Sequence, residues 1–205
     1  MTLLRKYGDA GQAFPIYITV IGGLLFLAFA YFAVGQAAAN RNGAQTAADA
    51  AALAAAQDRR EQLADAWVDS ILDPASWQGI FEGDAAGLAS SCWRADQFAA
   101  RNNARVLACS PEGPLSVTVD VETTRTVGES IVPGTENRRS QASATAVIDA
   151  RCTFQLSATV VEEDVLPQLK CEDEEWELDP EDTSHRPDAR DLFDVHLADQ
   201  PANDE

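Results

Sequence analysis

The four cysteines are the side chains of this sequence best suited to covalent chemistry. They are Cys92, Cys109, Cys152 and Cys171, separated by 17, 43 and 19 residues. No Cys-x-x-Cys pair is present, and these spacings match neither a zinc knuckle nor a thioredoxin-like redox site. Because the number of cysteines is even, we predict two disulfides in an oxidising compartment.

Four cysteines allow three pairings. We favour Cys92–Cys109 together with Cys152–Cys171, because each disulfide then closes a loop of about 18–20 residues within one supersecondary unit. In the chain-entropy model, a loop of that length stabilises the fold by ~3 kcal/mol.

Groups suited to catalysis are few and poorly placed. The two histidines, His185 and His196, lie in an acidic C-terminal segment where nothing in the sequence fixes their geometry. Asp120 and Glu122 alternate along one strand face, which is typical of solvent-facing residues rather than of an acid/base pair. Gly-x-Ser-x-Gly, His-Glu-x-x-His and Asp-x-Asp-x-Asp-Gly motifs are absent. We therefore expect no enzymatic activity, cofactor, metal or small-molecule substrate.

The charge is strongly and unevenly negative. The formal net charge is −18, which disfavours nucleic acid and anionic lipid as partners, since both require clustered Lys and Arg. Residues 172–205 hold 14 Asp and Glu against Arg186 and Arg190. We predict a solvated, disordered acidic tail, in which Leu192 to Leu197 would form at most a short helix.

One stretch sets the location of the chain. Residues 13–34 form a run of 22 residues without Asp, Glu, Lys or Arg. As a helix, this run is ~33 Å long, which is enough to span the hydrocarbon part of a bilayer. The alternatives are a cleaved signal peptide and a buried core helix, but the run is long for the first and lacks the polar stripe of the second. Arg5 and Lys6 precede the run and predict a cytoplasmic N-terminus. We expect a single-pass membrane protein whose C-terminal domain lies outside the cytoplasm.

The helical pattern continues beyond the apolar run without a proline until Pro74. We predict a helical stalk over residues 35–73, alanine-rich at first and amphipathic later. Small residues recur on it every four positions and would allow another helix to approach closely. This helix-packing stripe consists of Gly35, Ala39, Gly43, Ala47, Ala51 and Ala55. If it contacts another subunit, Ala47→Leu or Ala51→Leu should disturb assembly without unfolding the monomer.

The rest of the chain predicts a small α+β domain. Residues 74–93 are assigned to a linker, and Arg94–Leu107 to a helix. Alternating apolar residues predict an antiparallel pair of strands over Leu115–Val127 and Ala142–Ala150. Cys152–Val161 would continue the second strand or form a third. The predicted layout is a leader (1–12), a transmembrane helix (13–34), a stalk (35–73), an extracytoplasmic α+β domain with disulfides (74–171) and the acidic tail (172–205).

The N-terminal quarter resembles the Tad, or Flp-type, pilus-assembly proteins of the TadE, TadF and TadG-like group. The likeness is carried by Gly11-Gln12-Ala13 and by residues 42–56, Asn-Gly-Ala-Gln-Thr-Ala-Ala-Asp-Ala-Ala-Ala-Leu-Ala-Ala-Ala. It implies a pseudopilin-like or accessory component, held in the bacterial inner membrane, that acts through helix packing and contacts other pilus-assembly or pilin-like subunits.

The resemblance also bears on processing. TadE-like and TadF-like proteins are cut after a glycine that is followed five residues later by glutamate. Here cleavage after Gly11 would place Ile16 at that position, and cleavage after Gly8 would place Ala13 there. The TadG-like case, an anchored protein that keeps its leader, is therefore favoured.

The competing class is a membrane-anchored extracytoplasmic binding or regulatory module whose acidic tail docks on a basic partner.

Overall fold

A single helix, α1 (Ala13–Asp69), runs through both the apolar run and the alanine-rich sequence. The computed structural model describes residues 13–126, 137–156, 166–172, 174–179 and 185–199. The long helix expected from the sequence is confirmed, although it ends four residues before Asp73. Alanine has the highest helix propensity and no proline interrupts the chain between Pro15 and Pro74, so nothing stops the helix from propagating.

The second half of α1 carries an α+β domain built from three more helices and seven strands among the described residues. They are α2 (Pro74–Phe81), α3 (Cys92–Arg101), β1 (Ala104–Pro111), β2 (Ser116–Thr123), β3 (Gln141–Ala150), β4 (Cys152–Phe154), β5 (Leu169–Cys171), β6 (Glu174–Trp176), α4 (Ala189–Leu192) and β7 (Phe193–Leu197). The strands form an antiparallel sheet of order β1-β2-β3-β7 and a smaller one of order β4-β5-β6.

The antiparallel pair predicted from alternation is β2 with β3, and its register sets Val119 opposite Ala144. Along β2, every second residue from Val117 to Thr123 is buried and the others are partly exposed. The buried face packs on α1, and the other face carries polar side chains. Because one face is buried, a shift of one residue would move the whole apolar set into water, which fixes this register.

The helix predicted for Arg94–Leu107 is wrong in its second half. α3 ends at Arg101, and Asn103 adopts a left-handed backbone conformation with φ of 56°. Asparagine tolerates this conformation better than most residues, and it turns the chain back along the domain. Residues from Ala104 onward then form the edge strand β1, in which Ala104 pairs with Thr123.

The predicted linker 74–93 is also corrected, because it contains α2. Pro74 occupies the first turn of this helix, where its missing N–H costs no hydrogen bond. Trp77, Ile80 and Phe81 on α2 are buried. Trp77 donates a hydrogen bond from Nε1 to the carbonyl oxygen of Ser70 at 3.0 Å, which ties α2 to the end of α1.

The prediction of a disordered tail from residue 172 is wrong for β6 (Glu174–Trp176) and for residues 185–199. β7 pairs antiparallel with β3, setting Val195 opposite Ile148, so this segment supplies the fourth strand of the main sheet. Leu192 and Phe193 are fully buried. Of the short helix predicted over Leu192–Leu197, only Leu192 is helical, as the last residue of α4. Phe193–Leu197 form a strand, in which the apolar residues alternate with Asp194 and His196 at the two-residue period of a strand.

The third predicted strand, Cys152–Val161, is realised only as β4 in the smaller sheet, and residues 157–165 lie outside the described residues. The core lies between α1 and the inner face of the main sheet, and it extends over α2 and α3. The part of the core near the C-terminal end of α1 is aromatic. The ring centroid of Trp77 lies 5.3 Å from that of Trp67 and 5.3 Å from that of Phe154.

Candidate membrane anchor and assembly helix

The first part of α1 has no partner within the described chain. Its large apolar side chains from Ile16 to Val34 are all exposed, for example Leu24 at 62% and Phe26 at 71%. This is the one helix in the described residues that is long and apolar enough to cross a membrane, and none of its most apolar window is buried. A helix that is apolar on every face and buries none of them does not fit the alternative of a soluble core helix.

Between the apolar run and the domain lies a short exposed piece of helix. Residues 35–43 are exposed except for the half-buried Asn40, and burial begins at Ala44. Nine residues of helix correspond to ~14 Å. A Cβ atom added at Gly35 or Gly43 would meet nothing within 4 Å, so no contact inside the described chain requires glycine at either position.

The structure divides the predicted helix-packing stripe into two halves. Ala47, Ala51 and Ala55 are fully buried in the core of the same chain. They face elements of this domain, and the side chains on this half of the stripe are not available to another subunit. The expectation that Ala47→Leu or Ala51→Leu would spare the monomer is corrected, because either leucine would have to enter a filled core. Gly35, Ala39 and Gly43 remain exposed.

The polar residues of the alanine-rich motif also serve the fold. Gln45 donates hydrogen bonds from Nε2 to Oδ1 of Asp49 at 2.8 Å and to the carbonyl oxygen of Ser143 at 3.4 Å. The second bond ties α1 to the beginning of β3. Thr46 donates from Oγ1 to the carbonyl oxygen of Asn42 at 3.0 Å. Sequence reasoning did not assign these roles, because the partner of Gln45 lies 98 residues away.

The four cysteines form two disulfides, Cys92–Cys109 and Cys152–Cys171. The first joins the start of α3 to β1, on either side of the turn at Asn103. The second joins directly opposed residues of β4 and β5. The first bond therefore fastens two elements that are consecutive in the chain, and the second fastens two neighbouring strands of the smaller sheet.

Charged side chains on the outer face of the sheet form ion pairs rather than a reactive cluster. Glu122 accepts hydrogen bonds from Nε2 of Gln141 at 3.1 Å and from Nε of Arg105 at 3.0 Å. These bonds, with smaller contributions from the charges of Arg105 and Arg139, lower the pKa of Glu122. Asp120, its neighbour on this face, is half-buried.

A second ion pair links Arg151, just before β4, with Glu172, just after β5. Arg151 donates from Nε to Oε1 of Glu172 at 2.9 Å, which lowers the pKa of Glu172 and raises that of Arg151. Both groups lie at the surface, where such pairs contribute little to stability.

The histidines are not brought together. Nδ1 of His196 lies 3.5 Å from Asp194 and 3.7 Å from Asp149, on the exposed face of the sheet. His185 is exposed and precedes α4. Within the described ranges, no group of three His, Cys, Asp or Glu residues is arranged to hold a metal ion.

A family model described as putative Flp pilus-assembly, TadE/G-like, matches residues 11–58. The resemblance to Tad-type proteins is thereby confirmed over this part of the chain, and it supports a role related to Tad pilus assembly. No curated protein and no solved structure matches the chain. The matched residues comprise the exposed apolar helix, the short exposed segment and the alanines that begin the core.

Proposed function

We propose that this protein is a membrane-anchored, pseudopilin-like or accessory component of a Tad or Flp-type pilus or secretion system. Residues 13–34 cross the inner membrane, and the domain formed from Ala44 onward lies on the extracytoplasmic side. The observation that carries the proposal is the extent of the family match, residues 11–58, on a helix whose first half is apolar and exposed and whose second half is the centre of a domain.

The positive charges at the start of the chain support this orientation. Arg5 and Lys6 lie close to one end of the apolar run, whereas the other flank has only Arg41 before Asp49. Positive residues are retained on the cytoplasmic side of a membrane helix. The two disulfides of the domain agree with an oxidising compartment on the opposite side.

The proposed protein acts by contact rather than by catalysis. Its free contact surface next to the membrane is the exposed half of the small-residue stripe, Gly35, Ala39 and Gly43. Small residues let helix backbones approach closely, which is the usual basis of helix association in and near membranes. The expected partners are other pilus-assembly or pilin-like subunits with a helix at the same height.

Photo-crosslinking in native membranes tests the contact. A photoreactive residue at Ala39 should give adducts with another membrane subunit, whereas one at Ala37, which is also exposed but on the opposite side of the helix, should not. Equal adducts at both positions, or none at Ala39, would argue against a specific helix contact. Resistance of the full chain to carbonate extraction tests the anchor separately.

Intact-mass measurement of the membrane form tests the processing. We propose that the leader is kept, because Ile16 stands where the prepilin peptidase substrates of this family carry glutamate. A mass corresponding to a start at Gln12 would overturn this part of the proposal and place the protein with the cleaved pseudopilins.

The competing binding-module hypothesis needs a new test. Deleting residues 172–205 would remove β6, α4 and β7, including the buried Leu192 and Phe193, so loss of a partner would only report loss of the fold. Neutralising the exposed Glu174, Glu175 and Glu177 keeps the strands and removes the charge. A partner lost from this variant in co-purification would favour the acidic binding module over the assembly component.

A further inference from the structure

The continuity of α1 determines which end of the domain faces the bilayer. Gln45 bonds to Ser143, so the beginning of β3 lies beside the part of α1 that is nearest the apolar run. The strand that follows β3 contains Phe154, which contacts Trp77 and through it Trp67, near the far end of α1. β3 therefore runs away from the membrane, in the same direction as α1.

The remaining strands and α3 complete this membrane-proximal end. Gln62, far along α1, donates to Oγ of Ser91 at 3.2 Å and accepts from the backbone N–H of Ala89 at 2.7 Å, so α3 starts at the far end and runs back. Because β2 pairs antiparallel with β3, it also runs toward the membrane. The end of α3, the start of β1, the end of β2 and the start of β3 thus meet near the bilayer.

Arginines are concentrated at this end. Segments 101–105, 122–126 and 137–141 hold five arginines and a single carboxylate, that of Glu122. We call these side chains the arginine rim: Arg101, Arg105, Arg125, Arg138 and Arg139. All five are exposed. By sequence, the connection 127–136 contains two glutamates, so segments 101–105 and 122–141 together hold five arginines against three carboxylates.

The opposite end of the domain carries the opposite charge. Over the last part of α1 and the turn after it, residues 58–73 hold five Asp and Glu against Arg59 and Arg60. These segments therefore differ in sign: the arginine rim is positive on the side of the apolar run, and the end of α1 is negative. A net charge of −18 conceals this separation.

The rim lies within reach of lipid headgroups. Gln45 is 11 residues beyond Val34, which corresponds to ~16 Å along the helix. β3 begins two residues before Ser143, which brings Gln141 about 7 Å closer to the bilayer. The headgroup layer extends ~5–8 Å beyond the hydrocarbon. The remaining gap is shorter than an arginine side chain and shorter than the ~8 Å screening length of physiological salt.

We propose that the arginine rim contacts anionic phospholipid headgroups and holds the domain against the membrane surface. This inference rests on the proposed membrane anchor. It reverses the expectation, drawn from net charge alone, that anionic lipid is disfavoured as a partner. The contact complements the rigid helical connection: α1 sets the height of the domain, and the rim sets its tilt, so that the acidic far end points away from the bilayer.

The test uses the full chain in lipid nanodiscs, either of phosphatidylcholine alone or of phosphatidylcholine mixed equally with phosphatidylglycerol. A fluorophore on Asn137→Cys reports the rim, and one on Glu61→Cys reports the far end; the four native cysteines are bonded, so the label is specific. A headgroup-attached quencher should quench the rim label more strongly in the anionic discs. The far-end label should not respond, and added salt should remove the difference.

A triple variant, Arg101→Gln/Arg125→Gln/Arg138→Gln, removes three rim charges and leaves the Glu122 pairs intact. Each lost arginine should lower the equilibrium constant for the lipid-contacting state roughly fivefold. The matched control, Arg60→Gln/Arg94→Gln/Arg190→Gln, has the same net charge as the rim variant. It should retain the stronger quenching that wild type shows in the anionic discs. If the chain resists carbonate extraction but quenching is the same in both kinds of disc, the rim inference is wrong and the anchor stands. If carbonate extracts the chain, the proposed anchor itself fails.

Discussion

Ala51→Leu is the substitution that separates a core role of the alanine-rich segment from a subunit-contact role. Ala51 is completely buried, with a relative exposure of 0%. Its neighbours on the helix, Ala47, Ala48 and Ala55, also have 0% exposure. All four belong to the core cluster, and α1 packs against the main sheet and α3. A leucine at position 51 would add three carbon atoms where no space is open, so we expect the monomer itself to be destabilised.

The magnitude follows from overpacking. Extra methylene groups in a filled core cost ~1–3 kcal/mol, because side chains leave their rotamers and the backbone shifts. For a domain of this size, each kcal/mol lowers the midpoint of thermal unfolding by ~2–4 °C. Ala51→Leu should therefore lower the midpoint by about 2–12 °C.

The assay is thermal or urea unfolding of the full chain in detergent, followed by tryptophan fluorescence. Trp67 and Trp77 are fully buried and report loss of the core directly. Ala39→Leu, on the same stripe but exposed, is the matched control and should change stability by less than ~0.5 kcal/mol. An Ala51→Leu protein that unfolds like wild type but fails to assemble would refute the core role and restore the whole stripe as a subunit surface.

Three further predictions test other parts of the fold by the same unfolding assay. Phe193→Ala should lower the free energy of unfolding by ~3–5 kcal/mol, because Phe193 is fully buried. Asp194→Ala is the control and should lower it by less than ~0.5 kcal/mol, because Asp194 is exposed. Equal small effects of both substitutions would support the disordered tail instead. Glu122→Gln should lower stability at neutral pH, and the difference from wild type should vanish in acid. The pKa of Glu122 is lowered from its ordinary 4.5, so the stability it contributes is present above that value and is lost as pH falls through the folded-state pKa. Replacing both Cys152 and Cys171 by alanine should cost ~3 kcal/mol, and no change after reduction of wild type would contradict a stabilising disulfide.

Features encoded by local pattern could be predicted from the sequence. The helix from Ala13 to Asp69 follows from composition and from the absence of proline, which need no knowledge of the partner surface. β2 and β3 follow from strict alternation, because a strand with one buried face repeats every two residues. Both signals lie within a window of about ten residues.

Features decided by contacts between distant parts of the chain could not be predicted from the sequence. Ala104 and Leu107 fit helical spacing as well as a strand, and the choice is made by pairing with β2 after Asn103 turns the chain. Acidic composition marked residues 185–199 as a tail. Yet burial of Leu192 and Phe193, together with pairing to β3, is enough to hold an otherwise charged strand in the sheet. Composition averages over such a segment and conceals its few anchoring residues.

The small-residue stripe shows the same limit most clearly. Small side chains at four-residue steps indicate that something approaches the helix closely, but they do not say whether that neighbour belongs to the same chain. At Ala47, Ala51 and Ala55 the neighbour is the protein's own domain, and at Gly35, Ala39 and Gly43 nothing in the described chain fills the space. One continuous pattern therefore combines two features: small side chains buried in the protein's own core, and small side chains on an exposed surface that remains for a partner. The boundary between them falls where Gln45 reaches β3, within the residues that match the Tad family.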